Sequence, residues 1–450
     1  MKTLRVGAAT VDISPMTSQF LFGYPHVERY STGIHDPLQS HAVFFSSGKP
    51  STNESESATS RTVLFIANDV IRIDKSVARE ARERIRSATG VQEQTIMITA
   101  THTHSAPNIV RYASNMDDPV VPPPDPKYVR FLTDSIVAAG IAAVENAVPA
   151  SVGFAAARAE GVGSNRRSVD GPSDPEVPVV VARDENDRAI ACMLVYSMHP
   201  TVLHEDSKLV SGDFPAFTRR YLCSSVFGRE IPIAYHTGTA GNQSPRHMTR
   251  ENTFAEAERL GNLLGRAVEK ALKTVEYSSE FTIGSAQEFL DLPRKVFPDP
   301  AAAAERLARV RERFEKLARE GAPRQEIRTA ETDVFGAEEV LTLANAAARG
   351  VLDEYYEQCL PAEVHAIRLG LHTYIGWPGE LFVEYGLELK RRFPSAYGIT
   401  LANGGLQGYV VTEAAAAEGG YEASNTLFDW RSGPLLVDAA VRVAESAAGG

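Results

Sequence analysis

Residues 62–99 carry the pattern that most restricts the fold. Thr62–Asn68 is an apolar run, Asp74–Ala88 repeats Val77, Ala81 and Ile85 at helical spacing before Gly90, and Thr95–Thr99 is a second, β-branched apolar run. Strand, helix, strand over this length is a βαβ unit, so the first sheet includes parallel strands. Asp69 ends the first run, and the second leads into Thr101-His102-Thr103-His104-Ser105. Strand ends in α/β sheets are where loops carry chemistry. Strand side chains repeat with period two, which predicts that His102 and His104 leave the strand pointing the same way.

The rest of the chain extends this α/β reading. Leu4–Val11 is a strand entering the turn Asp12-Ile-Ser-Pro15, and residues 20–41 form an irregular loop holding His26, His35-Asp36 and His41. Ser46–Arg61 is polar and low in complexity, the composition of a hairpin tip. The Pro-rich stretch 111–126 is long enough for a lid or rim. A helix at 128–147 precedes strands at 151–158, 176–183 and 189–196, the last two joined as a hairpin through Asp184–Asp187. Residues 253–274 are helical. Residues 299–319 and 323–349 are Ala-rich and charged and read as an antiparallel helical hairpin, with Gly321 and Pro323 at the break. Two strands broken at Gly370 follow, then a helix near 381–392, a strand at 399–402 and a C-terminal helix near 435–447. No repeat or linker divides the chain. The expectation is one α/β domain over residues 1–450, with mixed β-sheets, flanking helices and a helical insertion at about 295–350.

Bulk properties narrow the function. A net charge of −11 argues against nucleic acid as a partner. No apolar run approaches the ~20 residues of a membrane span, and the N-terminus lacks the apolar core of an export signal. Three widely spaced cysteines, Cys192, Cys223 and Cys359, fit neither a disulfide framework nor a Cys-rich zinc site, and a cytoplasmic protein is the simplest account.

Polar residues gather at five strand ends or loops: His102/His104, His199, Ser244, Glu380 and Tyr409/Tyr421. Catalytic zinc takes histidine nitrogen and carboxylate oxygen, which these segments offer. Each has a structural alternative. The histidines can be a hydrogen-bonded pair, Glu380 a carboxylate at a helix N-terminus, the tyrosines packed rings. Asn165-Arg166-Arg167 is either a solvated loop or a partner for an anionic group.

The ordered set of motifs resembles a known family. Gly7–Pro15, Thr101–Pro107, Asn165-Arg166, His199-Pro200, Ser211-Gly-Asp213, Gly241–Pro245, Pro378-Gly-Glu380, Gly408–Thr412 and Tyr421–Ser424 occur in the order found in the catalytic domain of neutral (alkaline, non-lysosomal) ceramidases. These are zinc-dependent amide hydrolases. The resemblance implies one Zn²⁺ per chain on His102, His199, Glu380 and Tyr409. It places Arg166 and Tyr421 at the scissile carbonyl or its oxyanion, and His104 beside the metal as a proton carrier. Where the family reads Gly-Asp-Val-Ser-Pro-Asn, this chain reads Gly241-Asn-Gln-Ser-Pro-Arg246. Without that acid Ser244 loses an activating group, so Ser244, with Arg167, is expected to contact substrate. The family's C-terminal β-sandwich domain is not expected after Gly450. The expected activity is zinc-dependent hydrolysis of a small soluble N-acyl or aminoacyl amide, with no nucleic-acid or membrane partner. The alternatives are a serine amidase using Ser244 and a non-catalytic zinc-stabilised binding protein.

Overall fold

A computed structural model describes residues 4–24, 27–47 and 62–449. The proposed hairpin tip, beyond Ser47, and His26 lie outside the described residues. Eight strands form the main path of the larger sheet, in the spatial order Ile233–Thr237, Ala189–Tyr196, Glu176–Asp184, Val148–Arg158, Leu4–Asp12, Gln39–Ser47, Thr62–Asn68 and Ile96–Ala100. Its middle is antiparallel, while the outermost pairs, 62–68 with 96–100 and 189–196 with 233–237, are parallel. A second sheet is built from Ile283–Leu290, Ala362–Leu369, His372–Gly376 and Ala396–Ile399, the last two parallel. The α/β expectation with mixed sheets and flanking helices is met.

The strand sequences explain the layering. Val63, Phe65 and Ala67 pack inward with Met97, Val180 and Met193 against Ile367, Tyr374 and Ile399 of the second sheet. Their neighbours Leu64, Ile66, Ile96 and Ile98 face the helices Lys75–Thr89 and Pro126–Glu145. Val179, Val181 and Leu194 likewise face Asp213–Tyr221 and Phe254–Leu272. Beyond the second sheet, Ser432–Gly449 packs Leu436, Ala440 and Val443 against Val364, Ala366 and Ile375. The order is helix, sheet, sheet, helix. A strand covered on both faces needs apolar residues at every position, which is why these runs look continuous rather than alternating.

The larger sheet curls until its two end strands touch. Thr99 Oγ1 lies 2.8 Å from His236 Nδ1, and Thr237 Oγ1 donates to Thr101 O at 2.6 Å. The second sheet is tied to the same place: Asn403 N donates to Ile98 O and Thr400 N to Thr237 O. The C-terminal ends of the parallel pairs within these two sheets therefore meet.

The helical hairpin is present as Pro300–Glu320 and Arg324–Ala348, with Gly321 left-handed between them (φ 66°). A short helix, Leu352–Cys359, follows it where the sequence pattern gave none. The helix after Glu380 begins only at Val383, and Glu380 itself is in a two-residue strand.

Candidate metal centre

Two ligand candidates come from each sheet. His102 follows the 96–100 strand, and His199 follows 189–196. Glu380 follows 372–376, and Tyr409 follows 396–399. The last two are direct partners in a short parallel pair, Glu380 opposite Tyr409 and Leu381 opposite Val410. The reading of Glu380 as a helix N-terminal carboxylate is thereby corrected: this pairing, not a helix end, fixes it.

Strand periodicity, expected to align His102 and His104, is not what does so. The strand stops at Ala100, and His102 is left-handed at φ 69°. The rings still meet, with centroids 4.9 Å apart and His104 Nε2 3.4 Å from His102 Nε2. What brings them together is the turn, held by His102 N donating to Val70 O.

Hydrogen bonds fix the tautomers. His102 Nδ1 is 2.6 Å from Ile71 O, and His199 Nδ1 is 2.6 Å from Ala240 O and 3.0 Å from Gln243 O. Carbonyls only accept, so both Nδ1 atoms carry the proton and both Nε2 atoms present lone pairs when the rings are neutral. Both Nε2 atoms lie 3.1 Å from the same Glu380 Oε2. Burial, then the charge of Arg166, hold His199 down to about 4, so its ring is neutral at pH 7. Three lone pairs converging in a buried site is the arrangement a cation satisfies. The nitrogens of His102, His104 and His199 also lie within 4.8 Å of one another. The donor set fits a metal ion.

Tyr409 lies beside this set, its ring 6.4 Å from His199 and 6.0 Å from Tyr421, with the Arg166 guanidinium 5.2 Å over it. Burial, then Glu380, push its phenol well above the ordinary value, with Arg166 pulling the other way. Tyr421 opens the short helix Tyr421–Ser424, and its hydroxyl accepts from Asn425 Nδ2 at 3.2 Å, which leaves its own proton to give. His104 is held well below the usual histidine range by burial, then by His102 and His199, and its buried Nδ1 has no partner among the described residues.

The arginines are held from behind by a residue the sequence reading passed over. Glu422 accepts from Arg166 Nε at 2.8 Å and from Arg167 Nη1 at 2.7 Å, and Arg166 Nη2 also donates to Gly241 O. Arg167 Nη2 is engaged by Glu418 and Gly419 O. The only signal for Glu422 was its place directly after Tyr421. Ser244 Oγ accepts from Arg246 N and caps the turn Pro245–His247; among the described residues no base hydrogen-bonds to it. Asn242 ties the same loop to the helix Val383–Arg392, its Nδ2 donating to Glu384 Oε2 at 2.8 Å. Asp213 braces the turn after His199 by accepting from Val202 N and Leu203 N, and Asp36 holds Ser211 Oγ and Gly212 N.

A family model, neutral/alkaline non-lysosomal ceramidase, N-terminal, matches residues 4–230 of this chain. The chain belongs to the neutral/alkaline ceramidase family. The matched segment holds His102, His104, Arg166 and His199. The fold carries the likeness through the remainder. Neutral ceramidase from Pseudomonas aeruginosa superposes with a TM-score of 0.74 at 19% identity, covering 99% of this chain and 75% of that one. A ceramidase complexed with C2 gives 0.73 at 17% identity, covering 99% and 76%. No curated protein matches the sequence. Family membership supports a reaction class for this ceramidase relative, hydrolysis of an amide bond.

Proposed function

We propose that the protein is a zinc-dependent amide hydrolase whose substrate is a small N-acyl or aminoacyl amide. The observation that carries this reading is the convergence of His102 Nε2 and His199 Nε2 on Glu380 Oε2, each at 3.1 Å. His102, His199, Glu380 and Tyr409 would hold the ion. Bound there, zinc supplies Lewis acidity and a strong nucleophile at neutral pH.

The chain's own side chains do the rest. Tyr421 donates its hydroxyl proton toward the oxyanion that develops on the scissile carbonyl. Arg166 adds positive charge there while steadying Tyr409, and Arg167 acts through Glu422. His104, neutral and facing His102, takes a proton at nitrogen and passes it to the leaving amine. Ser244 shapes the adjoining loop. The cleft lined by His102, His104, Glu380, Tyr409 and Tyr421 holds about 40 Å³ and includes Phe22, Ile71 and Tyr112. At roughly 10–15 Å³ per water, that is room for a few waters or a short polar group, in keeping with a small substrate.

Chelation followed by add-back tests the reading. Dialysis against EDTA is expected to abolish hydrolysis of a panel of N-acyl amino acids, amino-acid amides and short N-acyl amines, and Zn²⁺ to restore it. Undiminished hydrolysis by metal-free protein would exclude it.

A further inference from the structure

The helical hairpin places one residue in the cleft that the reaction above does not use. Glu339 lies on the helix Arg324–Ala348, is 1% exposed, lines the cleft together with Tyr421 and Glu380, and has no hydrogen-bond partner at either carboxylate oxygen among the described residues. A buried carboxyl normally has its oxygens satisfied, because losing water without replacement is costly. Nothing in the packing of the hairpin calls for an acid. The face turned to its partner helix uses Val334, Ala337, Val340 and Ala344. The other face carries Gly336, Glu339, Leu343 and Ala346 and meets the body of the protein. Gly336 sits so close to Tyr421–Ser424 that an added Cβ would lie 3.2 Å from Ser424 Cβ, and Leu343 and Ala346 pack in the core with Ala113. Glu339 is one turn from Gly336 on that face, which aims it past Tyr421 into the cleft.

The charges around Glu339 select the kind of group it takes. Lys295 is the basic neighbour, but its ammonium already donates to Ala423 O at 2.6 Å and Ser424 O at 3.2 Å. Glu338 and Asp118 add negative charge nearby, and burial first, then Glu338, raise the Glu339 carboxyl well above its usual range against the pull of Lys295. Asn115 Nδ2, a neutral donor in the same cleft with no partner among the described residues, adds no charge to offset Glu338 and Asp118. A ligand that brings a cation relieves this.

We propose that Glu339 selects the substrate, receiving a protonated amine carried by the amide that is cleaved. The proposal rests on the amidase reading and names its substrate class, amides of diamines or of amino acids with a free amine.

The test compares mono-acetyl amides of a short diamine, of the matching amino alcohol and of the matching alkylamine, using the zinc-loaded full chain. The diamine amide is expected to lead by about tenfold or more in kcat/KM, chiefly through KM. In Glu339→Gln that ratio is expected to collapse toward unity while the bound zinc, read by elemental analysis, is kept. Equal rates for the three amides in the unsubstituted protein, or a lead for the alcohol, would overturn the proposal without any variant. A ratio that survives in Glu339→Gln would overturn it too. If none of the amides is cleaved, calorimetry of the diamine amide decides. Binding that Glu339→Gln loses keeps the inference and sinks the amidase reading, whereas equal or absent binding sinks both.

Discussion

His102 takes a left-handed backbone, φ 69°, that a residue with a β-carbon adopts only when its surroundings hold it there. The bonds from its backbone N to Val70 O and from Nδ1 to Ile71 O supply that restraint. Its neighbour His104 is located by an absence of side chain. Gly23 has φ 125°, and a Cβ there would lie 2.5 Å from His104 Cγ. Gly23→Ala is therefore expected to displace the His104 ring and lower kcat about 100-fold, as small misplacements do, with metal content unchanged. His199→Ala should bring bound metal down to background by elemental analysis. Tyr421→Phe should keep the metal and lose roughly 10²–10³ in kcat, the cost of removing one oxyanion donor.

At the scale of elements, the site depends on loops that clamp neighbouring units. The 238–245 loop supplies the carbonyls that orient His199, and Asn242 fastens it to the helix Val383–Arg392. Asn242 Oδ1 accepts from Val383 N at 2.9 Å while Nδ2 donates to Glu384. An amide offers both roles at once, which a carboxylate does not. Asn242→Asp, which installs the acid of the family pattern, sets a second carboxylate against Glu384. We expect a loss of about 1–3 kcal/mol, read as a lower Tm.

The whole molecule is locked by a buried polar network between the two sheets. Arg82 grips Glu363 with two bonds of 2.8 Å, Asn403 Nδ2 and Gln287 Nε2 donate to the same carboxylate, and Asn403 Oδ1 accepts from Ile98 N. Burial opposes ionisation of Glu363, but Arg82 outweighs it and depresses the carboxyl. The stability this contributes is full above the unfolded value near 4.5 and is lost as pH falls through the lower folded value. Glu363→Gln leaves Arg82 buried without its counter-charge and should cost about 3–5 kcal/mol near neutral pH. The difference in unfolding free energy from the parent protein should narrow on acidification.

The sequence alone determined whatever depends on short-range periodicity. The βαβ run at 62–99, the hairpin of strands across Asp184–Asp187, the helical hairpin and the ordered motifs were all legible, because strand and helix spacing is written within ten to twenty residues. The motif order also carried the family. Tertiary structure decided the rest. His102 and His104 converge through a strained turn that strand spacing does not encode, and Glu380 is set by pairing with Tyr409 rather than by the helix after it. Glu422 joins two arginines from some 250 positions away, as its bonds to Arg166 and Arg167 record. Glu339 sat in an Ala-rich helix with the composition of plain packing. In each case the deciding contact joins distant parts of the chain, and only the curl of one sheet against the other brings them within reach.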